Sequence, residues 1–353
     1  MIGIRVPARI CFFGDHQDYL GLPVIAGTID RYMELEAKPI QSNEFQLELK
    51  DMNSSRTVPL DTNGEKVAPR DYIRSAMAVL LEKGFRFKQG YKIEISGNIP
   101  INAGLSSSSA LTVAWIRFLV AIQEGRIRFT DSDIGHWAYE AEVRFFDQPG
   151  GLMDQYTIAQ QGLLFIDTLH GKTERLKGRL GNLVIAESGI AKRTLDVLQN
   201  ARSYQQNALY GIKALNPEFK IQDATVTDYE KYKGVIPEKY GRYWYAAIHN
   251  YDITQKAKRL LKSENSDLME LGELMNRHQK VLEDYIGNTP KEMAMMMDAA
   301  RKAGANGAKI IGSGGGGCMV AIVDDAHKQD VITTFLDNGA KAAYQVELTY
   351  PKV

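Results

Sequence analysis

Residues 100–120, "PINAGLSSSSALTVAWIRFLV", set four consecutive serines behind a glycine and ahead of a long apolar stretch. Hydroxyls in such a row make a poor core, so their place at the mouth of a hydrophobic segment asks for another use. The residues leading in, "YKIEISGNIP", alternate like a half-buried strand that Pro100 stops. Those leading out, "ALTVAWIRFLVAIQEG", read as a buried helix. Strand, flexible "INAG", serines and helix together are a recipe for an anion site. The first turn of a helix presents N–H groups without an intrahelical partner, and its dipole adds positive potential there. Gly104 lets the backbone approach a ligand closely. The serines can cap the helix, donate to phosphate oxygens or ligate Mg²⁺. A lone serine would be an ordinary N-cap; Gly104, Leu105 and Ser106–Ser108 directly after a strand read as a phosphate loop.

This is no Walker loop, because the chain contains no GxxxxGK[ST]. Residues 312–317, "GSGGGG", formally fit GxGxxG. However, "AKII" before them and "CMVAIV" after them both read as strands, whereas a dinucleotide fingerprint requires a helix after the glycines. The segment is instead a glycine-rich strand connection. Four successive glycines are entropically costly for a mere turn, so close approach to a ligand or to another loop is the better reading.

Around these motifs the chain of 353 residues is long enough for two domains. Lys+Arg and Asp+Glu are both 43, so no global field recruits nucleic acid or an anionic membrane, and any anion must be bound locally. Two distant cysteines, Cys11 and Cys318, argue for reduced thiols. Six scattered histidines without HxxxH or CxxC argue against zinc. The apolar run from Ala110 to Ile122 is broken by Arg117 and is too short to span a bilayer, and the N-terminus lacks a signal-peptide pattern. The expectation is a cytoplasmic protein.

The first half mixes strands ("RYMELEAKPI", "FQLELKDM", "GLLFIDTL", "NLVIAES") with helices. Among these are "DYIRSAMAVLLEKG" and "DSDIGHWAYEAEVRFF", the latter capped by Asp131 or Ser132. After about Glu187 long helices take over, followed by "AKII", "CMVAIV", a helix near Lys328–Asp337 and a last strand, "AAYQVELTY". This predicts an α+β protein with domains at 1–185 and 186–353.

Two acidic segments stand out. "PGGLMDQYTIAQQG" puts Asp154 after two glycines and before a short helix. "PARICFFGDHQDY" puts Arg9, Asp15, His16 and Asp18 in a turn-rich segment after a strand. Singly, these are ordinary caps, turn residues, a surface arginine and a structural histidine. Their combination with the serine loop is not ordinary.

The three motifs "PARICFFGDHQDY", "PINAGLSSSSA" and "IGSGGGGC" resemble, in order and spacing, the substrate motif, phosphate loop and C-terminal glycine loop of the GHMP kinases. The resemblance covers nearly the whole chain. Within the family it is closest to the galactokinases: Arg9 stands where mevalonate kinases usually carry lysine, and "AEVRFFDQPGGLMDQY" aligns without gaps. It implies a two-domain GHMP kinase fold, with a ribosomal-protein-S5-domain-2-like N-terminal domain and a ferredoxin-like C-terminal domain. The implied activity is ATP- and Mg²⁺-dependent phosphorylation of the anomeric C1 hydroxyl of galactose or a related sugar. By position, Gly104, Leu105 and Ser106–Ser108 would hold the ATP phosphates, Ser107 or Ser108 with Glu142 the Mg²⁺, and Gly314–Gly317 would close the site. Asp154 would be the base, kept ionised by Arg9. Asp15, His16, Asp18 and Gly151 would contact the other sugar hydroxyls.

Several departures are visible. Asp15 replaces the usual glutamate, which leaves room at the hydroxymethyl end of the sugar. A tyrosine of the galactose pocket has no clear counterpart; Gln199 falls at its place. The glycine loop is nearer mevalonate-kinase style. Arabinose, galacturonate, glucuronate or mevalonate as acceptor, or a non-catalytic sugar sensor, are therefore the competing readings. The tyrosine-rich segment "DYEKYKGVIPEKYGRYWYAAIHNY" reads as interhelix packing, and "MAMMM" as helix core. The oligomeric state is left open.

Overall fold

The computed structural model describes residues 1–61, 66–100, 103–123, 127–191 and 194–351, with side chains of 194–197 left aside. Ile101 and Asn102 of the phosphate motif, and the Glu124–Gly125 end of the following helix, lie outside the described residues.

Two sheets organise the chain. The first has seven strands, β1 (Ile2–Phe13), β2 (Val24–Ile40), β3 (Glu44–Leu49), β4 (Ser54–Pro59), β5 (Gly90–Gly97), β6 (Leu163–Asp167) and β7 (Lys172–Arg175). Its order is β4-β3-β5-β2-β6-β7, with β1 paired along β2. Only β3 and β5 run parallel. The long β2 carries β1 along its length, β5 on its second half and β6 on its first. Helices α1 (Tyr72–Glu82), α2 (Ser107–Ala121), α3 (Asp131–Tyr139) and α4 (Met153–Gln160) pack together, α2 and α4 also lying on β1 and β2.

Helices α5 (Thr194–Leu215), α6 (Val226–Tyr232), α7 (Glu238–Leu261), α8 (Leu268–Val281) and α9 (Lys291–Lys302) precede the rest of the second sheet. That sheet comprises β8 (Asn182–Glu187), β9 (Ala305–Ile310), β10 (Cys318–Val323) and β11 (Ala342–Val346), with α10 (Lys328–Asp337) between the last two. It is wholly antiparallel in the order β11-β8-β10-β9, which is the ferredoxin-like arrangement. The chain thus has an α+β fold of two domains. A division at residue 185 would cut β8, whose hydrogen bonds all run to β10 and β11; we place the division before Asn182.

Two local expectations change. Arg9 is not in a turn: β1 runs on to Phe13, absorbing Pro7 at a register shift, and is buried on both faces from Val6. The cap of α3 is neither Asp131 nor Ser132 but Thr130, in a reciprocal capping box with Asp133. No helix among the described residues is long and apolar enough to cross a membrane.

Candidate active site

A cavity of about 430 Å³ opens between the sheets, lined by the phosphate loop, the end of β1, the loop before α4 and the glycine loop. Three of its walls meet at Asp154, in the first turn of α4. Arg9 grips that carboxylate with both arms of its fork, Nε at 2.7 Å and Nη2 at 2.8 Å, while Nη1 donates to the Gly104 carbonyl at 2.7 Å. The Ser106 hydroxyl donates at 2.5 Å to Asp154 Oδ2, the oxygen that also accepts from Arg9 Nη2. Burial alone would pull the Arg9 guanidinium down, but the Asp154 charge outweighs it and holds the group above its ordinary value. The strand, the loop and α4 are therefore tied at a single carboxylate.

Ser106 stands at the N-cap of α2 in the left-handed region (φ +60°), yet its side chain caps nothing because it is turned to Asp154. The first-turn N–H groups of α2 thus receive no side-chain cap, and Gly104, at φ +95°, brings the chain past them. Ser107 and Ser108 line the cavity. Leu105 does not face it: its side chain is fully buried in the core, leaving only its backbone for a ligand. Among the described residues no carboxylate faces the α2 turn from the loop itself, which suits a polyphosphate.

Glu142 approaches the same turn from a π-helical step after α3. It is buried, and burial pushes its carboxyl up against the pull of hydrogen bonds from the Gln155 amide, Ser108 and Ser109. The Gln155 Nε2 lies 2.7 Å away. All these partners are neutral, so a buried acid meets the phosphate loop without a basic partner. That donor set, one carboxylate with hydroxyls beside incoming phosphates, fits Mg²⁺. Ser109 and Gln155 were not singled out from sequence; their polar side chains sit in otherwise apolar helical pattern, which is a weak signal.

At the other end, Asp18 lines the cavity beside Gly151, where any side chain would overlap its carboxylate. Its Oδ1 accepts from the Tyr19 N–H at 2.9 Å. Burial first, and the Asp154 charge second, push its pKa up to about 7. His16, at φ +61°, is held from the second domain: its Nε2 lies 2.9 Å from the Ser313 carbonyl, with the Asn288 amide alongside at 3.1 Å.

Asp15 departs from expectation. It reaches the cavity wall, but its side chain is 1% exposed and its Oδ2 lies 2.8 Å from the Lys309 ammonium on β9. Its Oδ1 accepts the Gly312 N–H at 3.1 Å. Lys309, itself fully buried, also donates to the carbonyls of Cys11 (3.1 Å) and Ile310 (2.6 Å). Burial would raise the Asp15 carboxyl; Lys309, followed by nearby His278 and His16, holds it below the ordinary value. The aspartate faces a lysine of the other domain, so its charge is already answered.

The glycine loop is also split. Gly312 and Ser313 line the cavity, whereas Gly314 and Gly315 pack on Asn288, the Gly315 N–H donating to its carbonyl at 2.6 Å. Gly316 lies against the backbone of Ile190 and Ala191, and Gly317 against Ala103. These glycines permit loop-on-loop approach, and Gly314 and Gly315 are not among the residues that line the cavity. Gln199 is exposed and off the cavity; Leu198 lines it instead. Arg70, Tyr72, Val143, Gln148 and Met153 complete the lining and escaped the sequence reading. The tyrosines of the C-terminal half stack on one another, Tyr245 on His249 and on Tyr285 at 3.8 Å in each case, away from the cavity.

The chain matches the GHMP kinases N terminal domain over residues 71–162 and the GHMP kinases C terminal domain over 257–341, about half of its length together. It is 28% identical to a mevalonate kinase of Pyrococcus furiosus over 333 residues, covering 92% of this chain and 89% of that one. It is equally 28% identical to a galactokinase of Clostridium perfringens over 349 residues, covering 92% and 86%. Among solved structures, Lactococcus lactis galactokinase complexed with galactose superposes with a TM-score of 0.86 at 20% identity, over 99% of this chain and 95% of that one. Methanococcus jannaschii mevalonate kinase does so with a TM-score of 0.72 at 22% identity, over 99% and 98%.

Proposed function

Since this chain belongs to the GHMP kinases, ATP-dependent phosphotransferases acting on alcohols, we propose that its acceptor is the anomeric hydroxyl of galactose or a close sugar relative. The observation that carries this reading is the Asp154 carboxylate, fixed by Arg9 and Ser106 at the mouth of the phosphate loop, with Asp18 and Gly151 across the cavity. A sugar offers several hydroxyls, and the wall beyond Asp154 offers carboxylate and backbone groups to meet them rather than a wide apolar face.

Asp154 orients the acceptor hydroxyl toward the γ-phosphorus and takes its proton as the new O–P bond forms and the bond to ADP breaks. Arg9, bound to both Asp154 and the Gly104 carbonyl, joins the base rigidly to the phosphate loop. The α2 amides and the Ser107 and Ser108 hydroxyls steady the transferring oxygens. Glu142, with Ser107 or Ser108, would hold Mg²⁺, which supplies charge neutralisation on the polyphosphate. Asp18 and Gly151 set the sugar's face, while His16 fixes the Asp18 loop to the second domain.

Mevalonate is the second reading, favoured by the run of glycines at 314–317 and by the equal similarity to the Pyrococcus protein. An ADP-release assay with ATP, Mg²⁺ and galactose, arabinose, galacturonate, glucuronate or mevalonate decides between them. Turnover of galactose or another aldose supports the sugar reading. Turnover of mevalonate alone overturns it, and binding of sugar and ATP without turnover would mark a sensor.

A further inference from the structure

Two cations line the cavity, Arg9 and Arg70. Arg9 is consumed by Asp154, and the nearby Lys309 by Asp15. Arg70 has no ion pair among the described residues and is exposed. It sits in the left-handed region (φ +62°), a conformation that costs a non-glycine residue roughly 1 kcal/mol or more. Its neighbours enforce that conformation. The Asp71 N–H closes a turn onto the Ala68 carbonyl at 3.1 Å. The Asp71 side chain caps α1 through the Arg74 N–H at 3.2 Å and pairs with Arg56 at 2.7 Å. With Asp71 fastened on the α1 side, the chain presents Arg70 to the cavity.

It shares its cavity with Glu142. Arg70 and Glu142 lie close enough to the Tyr72 hydroxyl to act on it in opposite directions, and Tyr72, Val143, Glu142, Ser107 and Ser108 line the same cavity. Arg70 thus lines one cavity with the phosphate loop and its acid. A guanidinium without an acidic partner beside a helix N-terminus and a carboxylate suited to Mg²⁺ complements a metal-bound polyphosphate.

We infer that Arg70 is a nucleotide-binding residue, donating to the polyphosphate of ATP and ADP from the α1 side of the cavity, opposite the α2 amides. The inference rests on the kinase reading. It adds a cation that neither the serine loop nor the glycine loop supplies, and it gives the strained backbone a purpose.

Calorimetric titration of the full chain with ADP, AMP and adenosine, each with Mg²⁺ and without acceptor, tests it. Arg70→Ala should weaken ADP roughly tenfold, the size of one charge-assisted contact. Adenosine binding should be unchanged, and AMP should fall between. Arg70→Gly, which fits the observed φ, should show the same pattern, and Arg70→Lys should recover part of the loss. An unchanged ADP affinity in Arg70→Ala overturns the inference, as does an equal loss for adenosine or a change confined to the KM of the acceptor. A wild-type chain that binds no ADP would overturn the kinase reading itself, a result distinct from any of these.

Discussion

Replacing Lys309 by methionine removes the only cation 2.8 Å from Asp15 and leaves the carboxylate 1% exposed. The Gly312 N–H at 3.1 Å and the neighbouring Cys11 thiol remain beside it, neither of them charged. A buried lone carboxylate escapes its desolvation by taking a proton. His278 beside it is held down to about 3 chiefly by burial, which the substitution leaves in place, so Asp15 is the group that takes the proton. Protonating a carboxyl of ordinary value 3.8 at pH 7 costs about 4 kcal/mol, and about 1.6 kcal/mol at pH 5, at 1.36 kcal/mol per unit. In the variant the folded state then holds one proton more than the unfolded state, so its stability falls as pH rises. In the wild type the folded pKa is depressed, so Asp15 is ionised in both states above about pH 5 and contributes no slope there. The stability gap between Lys309→Met and wild type should therefore widen by about 2–3 kcal/mol from pH 5 to pH 7. Urea unfolding followed by tryptophan fluorescence reads the gap, and Asp15→Asn in the same chain should abolish its pH dependence. A gap that is absent, or constant between pH 5 and 7, would refute the pairing argument.

Asp154→Asn should lower kcat by about 10²–10⁴-fold, the usual range for losing a general base, while leaving ADP affinity largely intact; near-normal turnover would remove Asp154 from the base role. Glu142→Gln should raise the Mg²⁺ concentration needed for half-maximal ADP binding by roughly tenfold or more. The same change should raise the melting temperature of the metal-free chain at pH 8, because burial disfavours the Glu142 charge; an unchanged Mg²⁺ requirement would move the metal elsewhere. Asp18, with a folded pKa raised to about 7, loses stability as pH rises from the unfolded value through 7. Asp18→Asn should therefore stabilise the chain at pH 8 by about 1–2 kcal/mol, partial solvent contact trimming the effect. The gain should vanish near pH 4, and a pH-independent effect would contradict the assignment.

What the sequence made legible was local. Strand, glycine, serines and helix follow one another within about twenty residues, and the unpartnered amides of a helix start are a backbone property that no distant contact alters. The strand readings on either side of the glycine loop hold for the same reason. Where the outcome depended on remote partners, the reading ran out. Arg9 looked like a turn residue because Pro7 and two arginines interrupt the alternation; a register shift against β2 and burial on both faces make it strand. Asp15 looked like a ligand for substrate because nothing near it in the chain announces Lys309, which arrives on β9 of the other domain. Gly314 and Gly315 read as phosphate contacts, but the loops they touch, around Asn288 and Ala191, are brought together only by the tertiary fold. Arg70 carried no pattern at all, since an isolated arginine before a helix is ordinary until it proves to line the cavity with no ion pair among the described residues.

The loop from Gly14 to Asp18 is anchored from the far half of the molecule, Asp15 on Lys309 and His16 on Ser313. Hybrid proteins built by exchanging second halves between relatives inherit this dependency. A graft lacking a basic residue at the site of Lys309 would leave an orphaned acid in the cavity wall, so the first half cannot be exchanged alone without destabilising that wall.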